Sequence, residues 1–285
     1  VLPTFVIGLR EGVEASLIVG IIAAFLRQHG ALRLLRYVWL GVGLATALCL
    51  AVGITLELVN QQLPQRQQEQ LETVVAFIAV GLVTSMIVWM AHHARALKGE
   101  IEERAGVALA AGSGGALVVM AFLAVLREGF ETAVFLVAAF QSAANRAASA
   151  GGALLGLVVA IGIGVGIYKG GVRINLAKFF KATGLVLVLV AAGLVAFAMH
   201  TGHEAGWINF GQGQAVDLSW LIKPGSVLSA LLTGMLGIQP KPTVIEAVGW
   251  LAYFIPVSIY VFRGGIRLPS LSVPRTGSAR AQRVR

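Results

Sequence analysis

The stretch that decides the fold is "FVIGLREGVEASLIVG", residues 5–20. It has the length and apolar character of a membrane-crossing or core helix, yet Arg10, Glu11 and Glu14 stand in its middle. A charge at the centre of a bilayer costs roughly 2.5 to 3.5 kcal/mol even on the lenient insertion scale. Residues three and four apart share a helix face, so Glu11 and Glu14 point the same way and Arg10 sits one turn from Glu14. Charges held there must face one another, water or an ion.

Composition sets the class. The chain has 285 residues, 57% of them hydrophobic and 12% charged, with 35 glycines, against about 25% charged in a soluble domain. It reads as a membrane protein, in which glycine lets helices approach closely. The formal charge of +9 gathers in short loops and in the tail "RTGSARAQRVR", residues 275–285. That distribution suits a disordered cytoplasmic end near anionic lipid and argues against nucleic acid. The single cysteine, Cys49, leaves no disulfide framework, iron–sulfur set or zinc cluster. A cleaved signal peptide is not expected, because the motif charges interrupt the apolar run.

Seven runs approach the length of about 20 apolar residues that a crossing requires. They lie near Pro3–Leu26, Tyr37–Val59, Leu71–His92, Gly112–Gln141, Gly152–Tyr168, Phe179–His200 and Val244–Phe262. Lysine and arginine concentrate in alternate connections: Arg27, Arg33 and Arg36 in the first; Arg95, Lys98 and Arg104 in the third; Lys169, Arg173, Lys178 and Lys181 in the fifth. Arg263 and Arg267 follow the last run. Positive charge marks the cytoplasmic side, so the N-terminus is expected outside and the C-terminus inside. The sixth connection is too long for a turn. Its segment "SVLSALLTGMLGI", residues 226–238, is expected to be a re-entrant or interfacial helix.

The charged signature occurs twice. "FVIGLREGVE" at Phe5–Glu14 lines up with "FLAVLREGFE" at Phe122–Glu131, matching Phe, Leu, Arg, Glu, Gly and Glu. Three crossings separate the copies, so their helices run in opposite directions. The expected fold is all-α: an inverted repeat of three helices plus three, with a seventh left over. Repeat one covers about 1–93, repeat two about 110–204, the outer loop about 205–243 and the seventh helix about 244–262. Together they form a single transmembrane domain, 1–268, before a basic tail, 269–285. Inverted repeats favour transport, since two related halves can rock around a midplane site.

The motif chemistry points to a cation. Glu11, Glu14, Glu128 and Glu131 against Arg10 and Arg127 leave −4 + 2 = −2, a deficit a purely structural staple would not keep in low dielectric. A divalent ion brings the cluster to zero and a trivalent one to +1. Carboxylates with no cysteine or histidine form a hard oxygen site suited to iron, manganese, magnesium or calcium. A proton relay through the same carboxylates is the next reading. Gly12 and Gly129 are expected to let the two motif helices approach beside the carboxylates.

Two Arg-Glu-Gly-x-Glu copies on the first and fourth of seven helices resemble the oxidase-dependent iron permease family. "HEAGW" and "VDLSWLIKPGSVLSALLTGMLGI" look similar to its bacterial branch. The resemblance implies import of ferrous or ferric iron across the cytoplasmic membrane, with iron as cargo and no tightly bound cofactor. It carries the metal-ligand role to Glu11, Glu14, Glu128 and Glu131, with Arg10 and Arg127 as their counter-charges. Val13 and Phe130 stand where the family often has leucine. Family partners are extracytoplasmic iron-binding proteins, one a haem peroxidase, here expected as separate chains. Self-association is left open.

Other polar residues have weaker claims. His200, His203 and Glu204 stand one turn apart at the outer end of the sixth run, and Asp217 follows in the outer loop; they are candidate uptake-side ligands, with solvated helix ends as the alternative. His92, His93, Glu100, Glu102 and Glu103 are candidate exit-side groups, with solvated charge as the plainer reading. Glu57 and Glu72 are assigned to solvated helix ends, and Glu246 to the dipole of the last helix. The rivals to an iron permease are a manganese, magnesium or proton-coupled carrier, a di-iron carboxylate oxidase and a helix-pairing assembly subunit. The oxidase would carry Glu-x-x-His, which does not occur here.

Overall fold

The structure is a computed structural model, described here for residues 1–93, 97–110, 114–143, 145–168, 176–220, 222, 232–233 and 236–262. All seven apolar runs are helices: α1 (Leu2–Gln28), α2 (Leu35–Gln62), α3 (Gln65–His93), α5 (Gly114–Gln141), α6 (Arg146–Tyr168), α7 (Leu176–Glu204) and α8 (Val244–Phe262). Among the described residues no strand occurs, only an isolated bridge between Gln214 and Thr243. The third connection, read as a loop, holds a further helix, α4 (Leu97–Ala110). Its 14 residues are too few to cross a bilayer. It forms because Ile101, Ala105 and Ala108 recur on one face and bury there, within reach of α1 and α5. The segment expected to re-enter the membrane lies mostly outside the described residues.

Local chemistry explains the helix ends. α3 starts at Gln65, well before the apolar run, because "QRQQEQLE" is rich in strong helix formers and follows Pro64. α6 gains its first turn from Asn145, whose Oδ1 accepts the Ala148 amide at 2.9 Å. α8 opens on a capping box: Glu246 Oε2 accepts the Thr243 amide at 3.2 Å, and Thr243 Oγ1 accepts the Glu246 amide at 3.4 Å.

Five helical stretches are long and apolar enough to cross a membrane: Leu32–Gln62, Gln65–Met90, Arg146–Gly166, Lys178–Glu204 and Val244–Phe262. α1 and α5 match them in length, at 27 and 28 residues, but carry the motif charges. α1 packs chiefly on α6, α2 on α5, and α7 on both α3 and α8. The α1–α6 and α2–α5 pairs are parallel. A Cβ added at Gly8 would lie 2.6 Å from the Ala153 carbonyl oxygen, and one at Gly41 2.5 Å from that of Val118. These glycines set the backbone separation of both pairs.

Polar contacts tie one end of the bundle, where α1, α3, α6 and α8 begin. Thr73 Oγ1 donates to Thr201 Oγ1 at 2.8 Å between α3 and α7. Arg146 Nη1 reaches Glu57 Oε1 at 3.1 Å, and Asn60 Nδ2 donates to Glu72 Oε1 at 3.2 Å. Glu57 and Glu72 are therefore members of interhelical contacts and not merely solvated helix ends. Exposed Trp207 and Trp220 follow α7 at this end, the residue type enriched at membrane–water interfaces.

Candidate metal centre

α1 and α5 cross antiparallel at their motifs. Val6 and Ile7 share a core with Val134, Phe135 and Ala138, while Ile18, Ile22 and Leu26 share another with Leu117 and Ala121. The crossing brings the carboxylates together. Glu11, Glu128 and Glu131 each offer an oxygen within 4.8 Å of the others, the one such group of three among the described residues. Glu11 is 1% exposed, and neither of its carboxylate oxygens has a hydrogen-bond partner.

The fourth carboxylate behaves differently. Glu14 lies against Glu128, but its Oε1 faces Arg10 Nε at 3.3 Å, with both side chains buried. In the second copy Arg127 Nε is 3.4 Å from Glu131 Oε1 and 3.9 Å from Glu128 Oε1, and the arginine side chain is 53% exposed. One sequence signature therefore gives two environments, a closed buried pair at Arg10–Glu14 and an open one at Arg127. Arg127 and Glu131 line a depression of about 510 Å³ with Leu48, Cys49, Leu82 and Phe130.

The expected role of the motif glycines needs correction. A Cβ at Gly12 would come 2.7 Å from the Ala160 Cβ of α6, and one at Gly129 would come 2.8 Å from the Cys49 sulfur of α2. They seat each motif helix on its parallel neighbour and do not face each other. The spacing in sequence showed the missing bulk but not the direction in which it was missing.

Of the uptake-side candidates, His200 lies at a carboxylate cluster. Its Nδ1 is 2.8 Å from Glu246 Oε1 and its Nε2 3.5 Å from Glu204 Oε1. Glu246, 4% exposed, was missed as a partner because it lies on another helix, although its capping box was readable. His203 is not brought to this cluster: its Nδ1 contacts the Ile208 carbonyl at 2.8 Å, closing the turn after α7. Asp217 pairs with Lys241 at 3.7 Å and accepts the Ser219 amide at 2.9 Å. Ser219, with Lys241 assisting, holds that carboxyl below its usual range. Of the exit-side candidates, Glu102 and Glu103 sit on α4, one half-buried and one exposed. The side chains of His92, His93 and Glu100 lie outside the described residues.

A helical bundle with several stretches long and apolar enough to cross a membrane, around a buried cluster of carboxylates, defines a polytopic membrane protein with a candidate cation site. The Iron permease FTR1 family matches residues 1–269, and the chain belongs to that family. It is 43% identical over 282 residues to the ferrous iron permease EfeU of Yersinia pestis, covering 98% of each chain. It is also 43% identical over 257 residues to that of Escherichia coli O157:H7, covering 90% of this chain and 93% of the relative. No solved structure matches the chain. The protein is thus an iron permease and not an enzyme, multi-pass in the plasma membrane.

Proposed function

We propose that the protein imports ferrous iron, bound between α1 and α5 by Glu11, Glu128 and Glu131. The observation that carries this reading is Glu11, buried with both oxygens unpartnered beside two further carboxylates. A buried carboxylate without partners costs several kcal/mol, and a cation at that point removes the cost. Arg10 and Glu14 neutralise each other, so the remaining cluster is −3 from Glu11, Glu128 and Glu131 and +1 from Arg127, or −2. A divalent ion balances it. The relatives' description as ferrous iron permeases agrees with that charge.

The helices support a seven-span, inverted-repeat architecture. Exchanging α1, α2 and α3 with α5, α6 and α7 turns the α1–α6 packing into α5–α2 and leaves α3–α7 unchanged, matching the helix pairs that pack. α8 stands outside the exchange. The basic residues of the first connection put the end where α1 begins outside, and separate extracytoplasmic chains deliver iron there. Each half then moves against the other about the carboxylates.

Iron uptake into proteoliposomes tests the reading, with ferric iron, manganese and magnesium as alternatives. Ferrous uptake is expected for the parent chain and not for Glu11→Ala or Glu131→Ala. Uptake unchanged in both variants contradicts the site. Preferred manganese or magnesium uptake contradicts the substrate.

A further inference from the structure

The two arginines differ in what lies beyond them. Arg127 Cζ stands 5.1 Å from the ring centroid of Trp89 on α3, and Arg10 Cζ 6.0 Å from that of Phe180 on α7. Both rings belong to the end of the bundle opposite the start of α1, because α3 finishes where α7 begins. They join one apolar cluster that includes Val13, Leu17 and Met90, with Leu9, Trp89 and Phe179 packed on it. Val13 and Leu17 flank Glu14 on α1. The cluster therefore lies between the carboxylates and that end.

Only one arginine has room to move. Arg10 is 1% exposed, whereas Arg127 is half-exposed beside the depression that it shares with Glu131. Arg127 has three partners: the Glu131 and Glu128 carboxylates on its own helix, at 3.4 and 3.9 Å, and the Trp89 ring on the other half of the chain. A guanidinium over an indole face is held by the ring quadrupole, and the hold strengthens away from water. An iron ion that takes Glu128 and Glu131 as its ligands draws away both carboxylates that keep Arg127 in place.

We propose that Trp89 is the inward gate of the iron path and that Arg127 latches it shut until iron occupies the carboxylates. This inference rests on the permease reading above. It assigns Trp89 a positioning role, acting through Arg127 without touching iron.

The test places a reporter, Leu17→Cys, between the carboxylates and the gate, in a chain also carrying Cys49→Ser. A membrane-impermeant maleimide is applied from the side on which α3 ends. The reporter chain is expected to label slowly without iron and faster with it. Trp89→Leu, which keeps apolar bulk, is expected to label about threefold faster without iron, the loss of one half-exposed cation–π contact. Trp89→Phe keeps a ring and is expected to stay slow and iron-responsive. Arg127→Gln should match Trp89→Leu, and the double variant should add nothing. Iron-free labelling unchanged in Trp89→Leu, raised equally in Trp89→Phe, or additive in the double variant overturns the gate. Iron uptake by the same reporter vesicles separates the two claims: uptake with an unaffected gate leaves the permease reading standing, while no uptake removes both.

Discussion

At the scale of single residues, the two glutamates of the first motif are under opposite stresses. Glu11 is buried without a hydrogen-bond partner, so Glu11→Gln removes an uncompensated charge. That variant is expected to lose iron uptake by at least about tenfold while its unfolding midpoint in detergent holds or rises. Glu14→Gln breaks the buried pair with Arg10 and leaves the guanidinium alone. It is expected to destabilise the protein by about 3 to 5 kcal/mol, read as a lowered unfolding midpoint. Equal stability of the two variants would contradict the division between iron ligand and ion pair. The four glutamates and two arginines were legible in sequence, because charges in an apolar helix and a repeated signature are both visible there. Their inequivalence was not. It depends on what covers each arginine, and that is fixed by α3 and α7 far away in the chain.

At the scale of helices, apolar runs gave α1 to α3 and α5 to α8, with most boundaries within four residues and the starts of α3 and α6 six residues late. The misses have physical causes. α4 mixes three glutamates with a narrow buried stripe, so hydropathy reads it as a loop. The polar start of α3 is helical by propensity alone. The clasp between α7 and α8 joins His200 to Glu246 across 46 residues. Helix association here runs on close backbone approach. Gly8→Ala, which would press on the Ala153 carbonyl, is expected to cost about 1 to 3 kcal/mol. Gly20→Ala on the same helix has nothing within 4 Å to meet and gains helix propensity of up to about 1 kcal/mol. Thermal unfolding of the two variants in one detergent checks the contrast. A Gly8→Ala protein as stable as Gly20→Ala would remove the glycine seam from the account.

At the scale of the whole molecule, the packed helix pairs map onto one another when the two proposed halves are exchanged, and the proposed mechanism rests on the departures from that exchange. α8 adds a helix to the second half and covers α7. Arg10 is sealed while Arg127 is half-exposed, although their local sequences match. Transport requires that a symmetrical frame be occupied asymmetrically, closed at one end while open toward the other. The polar contacts where α1 begins are expected to lie outside. An impermeant label on Gln61→Cys, in a Cys49→Ser background, should react from the outer face of intact cells, and one on Arg33→Cys should not. The reverse pattern would invert the topology.

The central claim is that Glu11, Glu128 and Glu131 hold ferrous iron between the two motif helices. X-ray absorption on the purified, anaerobically loaded protein tests it most directly. The expected spectrum shows a single ferrous ion with an oxygen-only shell, lost in Glu11→Gln and in Glu131→Gln. Full iron loading in Glu11→Gln, or nitrogen or sulfur in the first shell, would contradict the account.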